Sequence, residues 1–166
     1  MSEMSSLDAR QIIAKSQKTA PVQVVPIAGA FGLKVYTAND WDDEISGMIV
    51  RDAERGGSSG YAVYVNGKHA LVRRRFTIAH EIAHYVLHRS LIGGGVQDDA
   101  LYRSKLSSAV EAEANRFAAD ILMPWRLLNE EIGKGNNNVE ALARAFNVSK
   151  SSMSIRLGVP YETTAA

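Results

Sequence analysis

From Arg75 to His88 the chain reads RFTIAHEIAHYVLH, with histidine at every fourth position (80, 84 and 88) beside an apolar repeat. Turning about 100° per residue from Phe76, the residues Ala79, Ala83, Leu87, Ile78, Ile82 and Val86 fill one broad helical sector. His80, His84, His88 and Glu81 share the adjoining sector. The stretch predicts one helix with a buried apolar face, bordered by most of the imidazoles of a chain that has four histidines in all.

That spacing has a chemistry. Imidazoles at 80 and 84 lie one turn apart and point at a common centre, with Glu81 beside it. In this H-E-x-x-H arrangement two neutral imidazoles bind Zn²⁺, and the glutamate handles the proton of the attacking water. His88 keeps the step but departs from the extended ligand pattern, which places glycine and a third histidine where Leu87 and Ser90 stand. His88 is read as a helix-end residue that backs a ligand.

A catalytic zinc takes three protein ligands and keeps one position open. The later run VEAEANRFAADILMP supplies two carboxylates, and its periodicity separates them. With Ala114 at the centre, Phe117, Ala118, Ile121 and Leu122 form the buried face. Glu111 and Asn115 lie at one border of that face. Glu113 falls on the other side with Arg116 and Asp120, where a solvated carboxylate is expected. Glu111 is therefore the expected third ligand. Asn115, one turn further on, is placed to hydrogen-bond a ligating histidine and fix its tautomer.

The first half of the chain predicts a helix from residue 5 or 6 to about 18, a short helix over 24–31, and three strands: LKVYTA, SGMIVRD and GYAVYVNG. The strands are expected to form a small antiparallel sheet. Asn66–Gly67 reads as a hairpin-type turn and ERGGSSG as a flexible loop. After the histidine helix comes a glycine-rich connection, LIGGGVQDDALYRSKL, and then the helix of Glu111, stopped at Pro124. Two short helices, VEALARAF and SKSSMSIRL, follow GKGNNN. The 166 residues are expected to form a single domain, with a core over 1–125 and a helical extension packed on it over 126–166.

Composition narrows the classes. Nineteen basic residues against 18 acidic ones leave a net charge of +1, which argues against a nucleic-acid or membrane-surface protein. The chain has no cysteine, so thiolate metal sites and disulfides are excluded, in keeping with a reducing cytoplasm. No stretch is of signal-peptide or membrane-spanning type, so a cytoplasmic location is expected.

RRFTIAHEIAHYVLH followed by EAEANRFAADILMP resembles the ImmA/IrrE family of zinc metallopeptidases, with Ile121 the one conservative departure in the second block. The resemblance extends to IAGAFGLKVY, ISGMI, VYVN and the tail LARAFNVSKSSMSIRL. It implies a gluzincin-like α+β fold with a small antiparallel sheet, an HExxH helix, a second ligand-bearing helix and a short helix-turn-helix-like tail. It implies one Zn²⁺ per chain held by His80, His84 and Glu111, with Glu81 as base. It also implies a protein substrate, such as a helix-turn-helix repressor or an antitoxin-like partner encoded nearby, as in phage and mobile-element systems. In such folds the peptide adds to a sheet edge, and GYAVYVN is the expected edge.

Charge developing in amide hydrolysis needs a donor besides the metal. Tyr102 is the leading candidate, with Arg103, Arg74 and Tyr61 behind it. The rival class is a DNA-binding module, or a pseudo-peptidase that only holds its partner, built on the tail. A recognition helix there would offer only Lys150 and Arg156 as bases, and no basic stripe exists.

Overall fold

The computed structural model describes residues 6–93 and 107–160. Three runs rich in β-branched and aromatic side chains pair into one sheet: β1 (Leu33–Ala38), β2 (Gly47–Arg51) and β3 (Tyr61–Asn66). Their order is β1-β3-β2. The β2–β3 ladder is antiparallel, from Gly47↔Val65 to Arg51↔Tyr61. The β1–β3 ladder is parallel, from Leu33↔Tyr61 to Ala38↔Asn66. The sheet is thus mixed rather than antiparallel throughout, and β3 is its centre, not its edge.

The reason lies at Asn66 and Gly67. Instead of turning a hairpin, Asn66 is fully buried and fastens the crossing from β1 to β2: its Nδ2 donates to Asp42 O (3.0 Å) and Ile45 O (2.8 Å). Its Oδ1 accepts from Lys68 N at 2.9 Å, so both ends of the amide are engaged. Gly67 N donates to Ala38 O at 2.7 Å. A Cβ at Gly67 would stand 2.2 Å from Asn39 Oδ1 and 2.5 Å from Thr37 Cγ2, so those side chains would have to shift to admit any other residue.

The loop between β2 and β3 is pinned as well. Asp52 Oδ1 accepts from Glu54 N (2.9 Å) and Arg55 N (3.1 Å), bonds that hold its carboxyl below the usual range. Ser59 Oγ donates to Gly32 O at 2.7 Å.

Seven α-helices are seen among the described residues. α1 (Ser6–Ala14) and α2 (Val24–Ala30) precede the sheet, and α3 (Leu71–Leu87) carries the histidines. A 3₁₀ turn follows at Arg89–Leu91. α4 (Ser108–Leu122) begins at Ser107, whose side chain caps Val110 N. α5 (Trp125–Gly133) is an element the sequence reading passes over: Pro124 ends one helix and stands at the N-cap of the next. α6 (Val139–Phe146) and α7 (Lys150–Leu157) complete the chain, capped by Asn138 and Ser149 and separated at Asn147, whose φ is +53°.

One apolar cluster joins these elements. Ile49, Val63 and Val65 of the sheet, Ile78 and Ile82 of α3, Phe117 and Ile121 of α4, and Leu142, Phe146 and Met153 of the tail all belong to it. At an estimated 25 cal/mol per Å² of apolar surface, burying side chains of this size contributes about 1.5–3 kcal/mol each. Arg75, buried in the first half of α3, ties the tail to the histidine helix. Its Nε donates to Asn147 O (3.0 Å) and its Nη2 to Phe146 O (3.2 Å), satisfying carbonyls at the end of α6. Burial pulls its pKa below the usual guanidinium value.

Candidate metal centre

α3 and α4 pack side by side, and the border between them is where the polar residues of both meet. His80 Nε2 and His84 Nε2 are 3.0 Å apart. The Glu111 carboxylate straddles them, with Oε2 3.1 Å from His80 Nε2 and Oε1 3.1 Å from His84 Nε2. Among the described residues these three form a group able to hold a metal ion, with all ligand atoms within 4.8 Å of one another. The helical phase that selected Glu111 over Glu113 is thus matched by geometry.

The donor set fits a small divalent cation. Ligand atoms about 2.0–2.1 Å from a tetrahedral centre lie roughly 3.3 Å apart, close to the observed separations. Two imidazole nitrogens and a carboxylate oxygen suit zinc, while the absence of thiolates removes softer alternatives.

The far sides of both imidazoles are also engaged. Asn115 Oδ1 lies 2.8 Å from His80 Nδ1, so an amide oxygen that can only accept receives that ring's N–H. His84 is fully buried, and its Nδ1 lies 3.0 Å from Nδ1 of His88, the residue that ends α3. His88 Nε2 in turn reaches Glu113 Oε1 at 2.5 Å. Glu113 stays on the solvent side of α4, as its helical phase predicts, with its side chain 53% exposed, and carries in addition this bond to His88, which the sequence reading does not include. His88 leaves the helix at φ −131°, and the long glutamate side chain spans a gap that a Cα-based helical wheel does not register.

Glu81, only 1% exposed, lies beside the start of β2. Its Oε1 lies 3.8 Å from where a Cβ on Gly47 would stand. That same Cβ would be 2.4 Å from Thr77 Cγ2 and 2.8 Å from Tyr64 O, so glycine lets the start of β2 settle directly on α3 above the carboxylate.

β2, not β3, is the edge beside this site. Asn66 N donates to Ser46 O (2.9 Å) and Asp52 N to Gly60 O (2.8 Å), so residues of even number in β2 face β3. The main-chain groups of Gly47, Ile49 and Arg51 face outward. Arg51 N is taken by Gly93 O at 3.2 Å, which closes that end.

The oxyanion candidates divide. Tyr102 and Arg103 lie outside the described residues. Tyr61 packs edge-on against Tyr85, with centroids 5.2 Å apart, and serves the core. Arg74 lines a separate cavity of about 310 Å³ with Gln23, Val35, Ile78 and Asn147. Neither Tyr61 nor Arg74 joins the metal-binding group.

A histidine helix under a small mixed sheet, faced by a helix that brings Glu111 to His80 and His84, is the architecture of an α+β metallopeptidase domain. The chain belongs to the IrrE N-terminal-like domain family, whose model matches residues 28–158. It is similar to Metallopeptidase ImmA of Bacillus subtilis (strain 168), at 27% identity over 116 residues, or 69% of this chain. Among solved structures it is similar in fold to a Mycobacterium tuberculosis transcriptional regulator, with a TM-score of 0.62 at 18% identity over 95% of this chain. The matches span 64% of the ImmA chain and 48% of the regulator. Among the described residues no helix is long and apolar enough to cross a membrane.

Proposed function

We propose that this chain is a zinc-dependent endopeptidase of the cytoplasm that cleaves one specific protein, a helix-turn-helix repressor or an antitoxin-like partner encoded nearby. The observation that carries the reading is the convergence of His80, His84 and Glu111, with Glu81 buried beneath the open edge of β2. Membership of a metallopeptidase family supports it. A repressor or antitoxin as substrate rests on the resemblance of the two sequence blocks.

His80, His84 and Glu111 would hold the metal. The chemistry such an ion would supply is Lewis acidity, which would polarise a scissile carbonyl and make an attacking water more acidic. The chain's own residues do the rest. Gly47 and Ile49 offer outward N–H and C=O groups to an extended peptide, which docks as an added strand. Glu81, beneath Gly47, takes the proton of the attacking water and passes it to the leaving amine. Asn115 and His88 hold the ligand imidazoles in register.

The tail supports this reading over a DNA-binding one. Lys150, a base that a recognition helix would present, pairs with Glu140 at 3.1 Å. Arg156 pairs with Asp120 at 2.9 Å, donates to Met123 O and lies over the Trp125 ring. Arg156, with its side chain 13% exposed, is thereby held inside the chain, which leaves Lys150 as the one exposed base of that helix among the described residues. The decisive experiment sequences the neighbouring genes and incubates the zinc-loaded protein with any small helix-turn-helix protein they encode. Zinc-dependent fragments, lost on chelation, are expected. An intact partner at equimolar protein, with zinc bound, would leave only the holding role.

A further inference from the structure

The two ligand histidines are backed differently. His80 leans on a neutral amide, Asn115 Oδ1 at 2.8 Å. His84 leans on a second imidazole, and that imidazole leans on a carboxylate: His84 Nδ1 to His88 Nδ1 is 3.0 Å, and His88 Nε2 to Glu113 Oε1 is 2.5 Å. With neutral rings, one proton assignment satisfies this line. For His84 Nε2 to present a lone pair toward the centre, its proton must sit on Nδ1. His88 Nδ1 must then be the acceptor, so His88 carries its own proton on Nε2 and donates it to the Glu113 carboxylate. His84 and His88 are 0% and 7% exposed, so little water is at hand to substitute for either partner.

We propose that Glu113 is a positioning residue for the metal centre, acting through His88 to fix the tautomer and ring orientation of His84. The inference rests on the metal-ligand reading of His84 given above. Glu113 itself is outside the metal-binding group and meets it through His88. Its side chain is 53% exposed, so its replacement does not open the core.

The test compares wild type with Glu113→Ala, Glu113→Gln, His88→Phe and the double variant His88→Phe/Glu113→Ala. Zinc affinity is read by competition with a chromophoric chelator, and ring-proton positions by long-range ¹H–¹⁵N correlation of zinc-loaded and metal-free protein. Glu113→Ala is expected to weaken zinc about 10- to 100-fold, the usual effect of losing a partner behind a ligand. Glu113→Gln, whose amide oxygen can still accept from His88, should recover most of that loss. The double variant should be no weaker than His88→Phe alone. The His88 Nε2–H signal should weaken in Glu113→Ala even without metal. Unchanged affinity and unchanged imidazole signals in Glu113→Ala would overturn the proposal. So would losses that multiply in the double variant, since Glu113 would then not act through His88. A wild-type protein that binds no zinc defeats the metal reading instead, and the metal-free spectra still decide whether Glu113 sets the His88 proton.

Discussion

Asn115 Oδ1 accepts the Nδ1 proton of His80 at 2.8 Å, one helical turn beyond Glu111 on the same helix, so α4 brings to the metal-binding group both a carboxylate and the amide that aims His80. Removing the amide should loosen His80 without removing a ligand. Asn115→Ala is expected to weaken zinc binding by roughly tenfold, measured by chelator competition. Glu111→Ala, which removes a ligand outright, should weaken it far more. The reverse order would contradict the assignment of Glu111.

Glu81 should separate binding from chemistry. Glu81→Gln keeps the shape of the side chain and removes the base. One zinc per chain should remain by metal analysis, while cleavage falls at least 100-fold, in line with the contribution of a positioned base. Cleavage at the wild-type rate would remove Glu81 from its role.

Gly47 allows no side chain. Gly47→Val pushes a methyl-bearing carbon into Thr77 Cγ2 and Tyr64 O, and overpacking of this kind costs about 1–3 kcal/mol. The urea midpoint should fall accordingly. Cleavage should fall further than zinc affinity, because β2 and Glu81 are displaced while His80, His84 and Glu111 are not.

Arg75 fastens the tail. Arg75→Met leaves the Phe146 and Asn147 carbonyls without their charged donor, a loss of about 1.5–3 kcal/mol. If residues 126–166 and the core form one cooperative unit, calorimetry will show a single transition that shifts as a whole. An early transition of the tail alone would mark it as an independent unit.

The site was more legible in the sequence than the sheet was. His80, His84, Glu111 and Asn115 sit on regular helices, where 100° per residue fixes which side chains can meet. The same arithmetic places Glu113 on the solvent side, where it lies, but does not register its bond to His88, because His88 has left the helix and the reach of a side chain is not a matter of phase. Strand runs were found at nearly their observed bounds. Their partners were not, since alternation shows which face is buried but not whether a neighbour runs parallel. Asn66–Gly67 carried a turn signal, yet the Asn66 amide spends itself on Asp42, Ile45 and Lys68, contacts fixed only once the chain has crossed from β1 to β2. Pro124 was read as a stop and is also a start.

Gly93 sets the length of what β2 can read. With Arg51 N already taken, the outward rungs left in the strand among the described residues are those of Gly47 and Ile49, which under the proposed docking would grip a few residues of main chain. A grip that short cannot unravel a folded domain. Under the proposed activity, a client would have to surrender a brief piece of its own backbone before being cut, and its vulnerability would lie where its own fold is loosest.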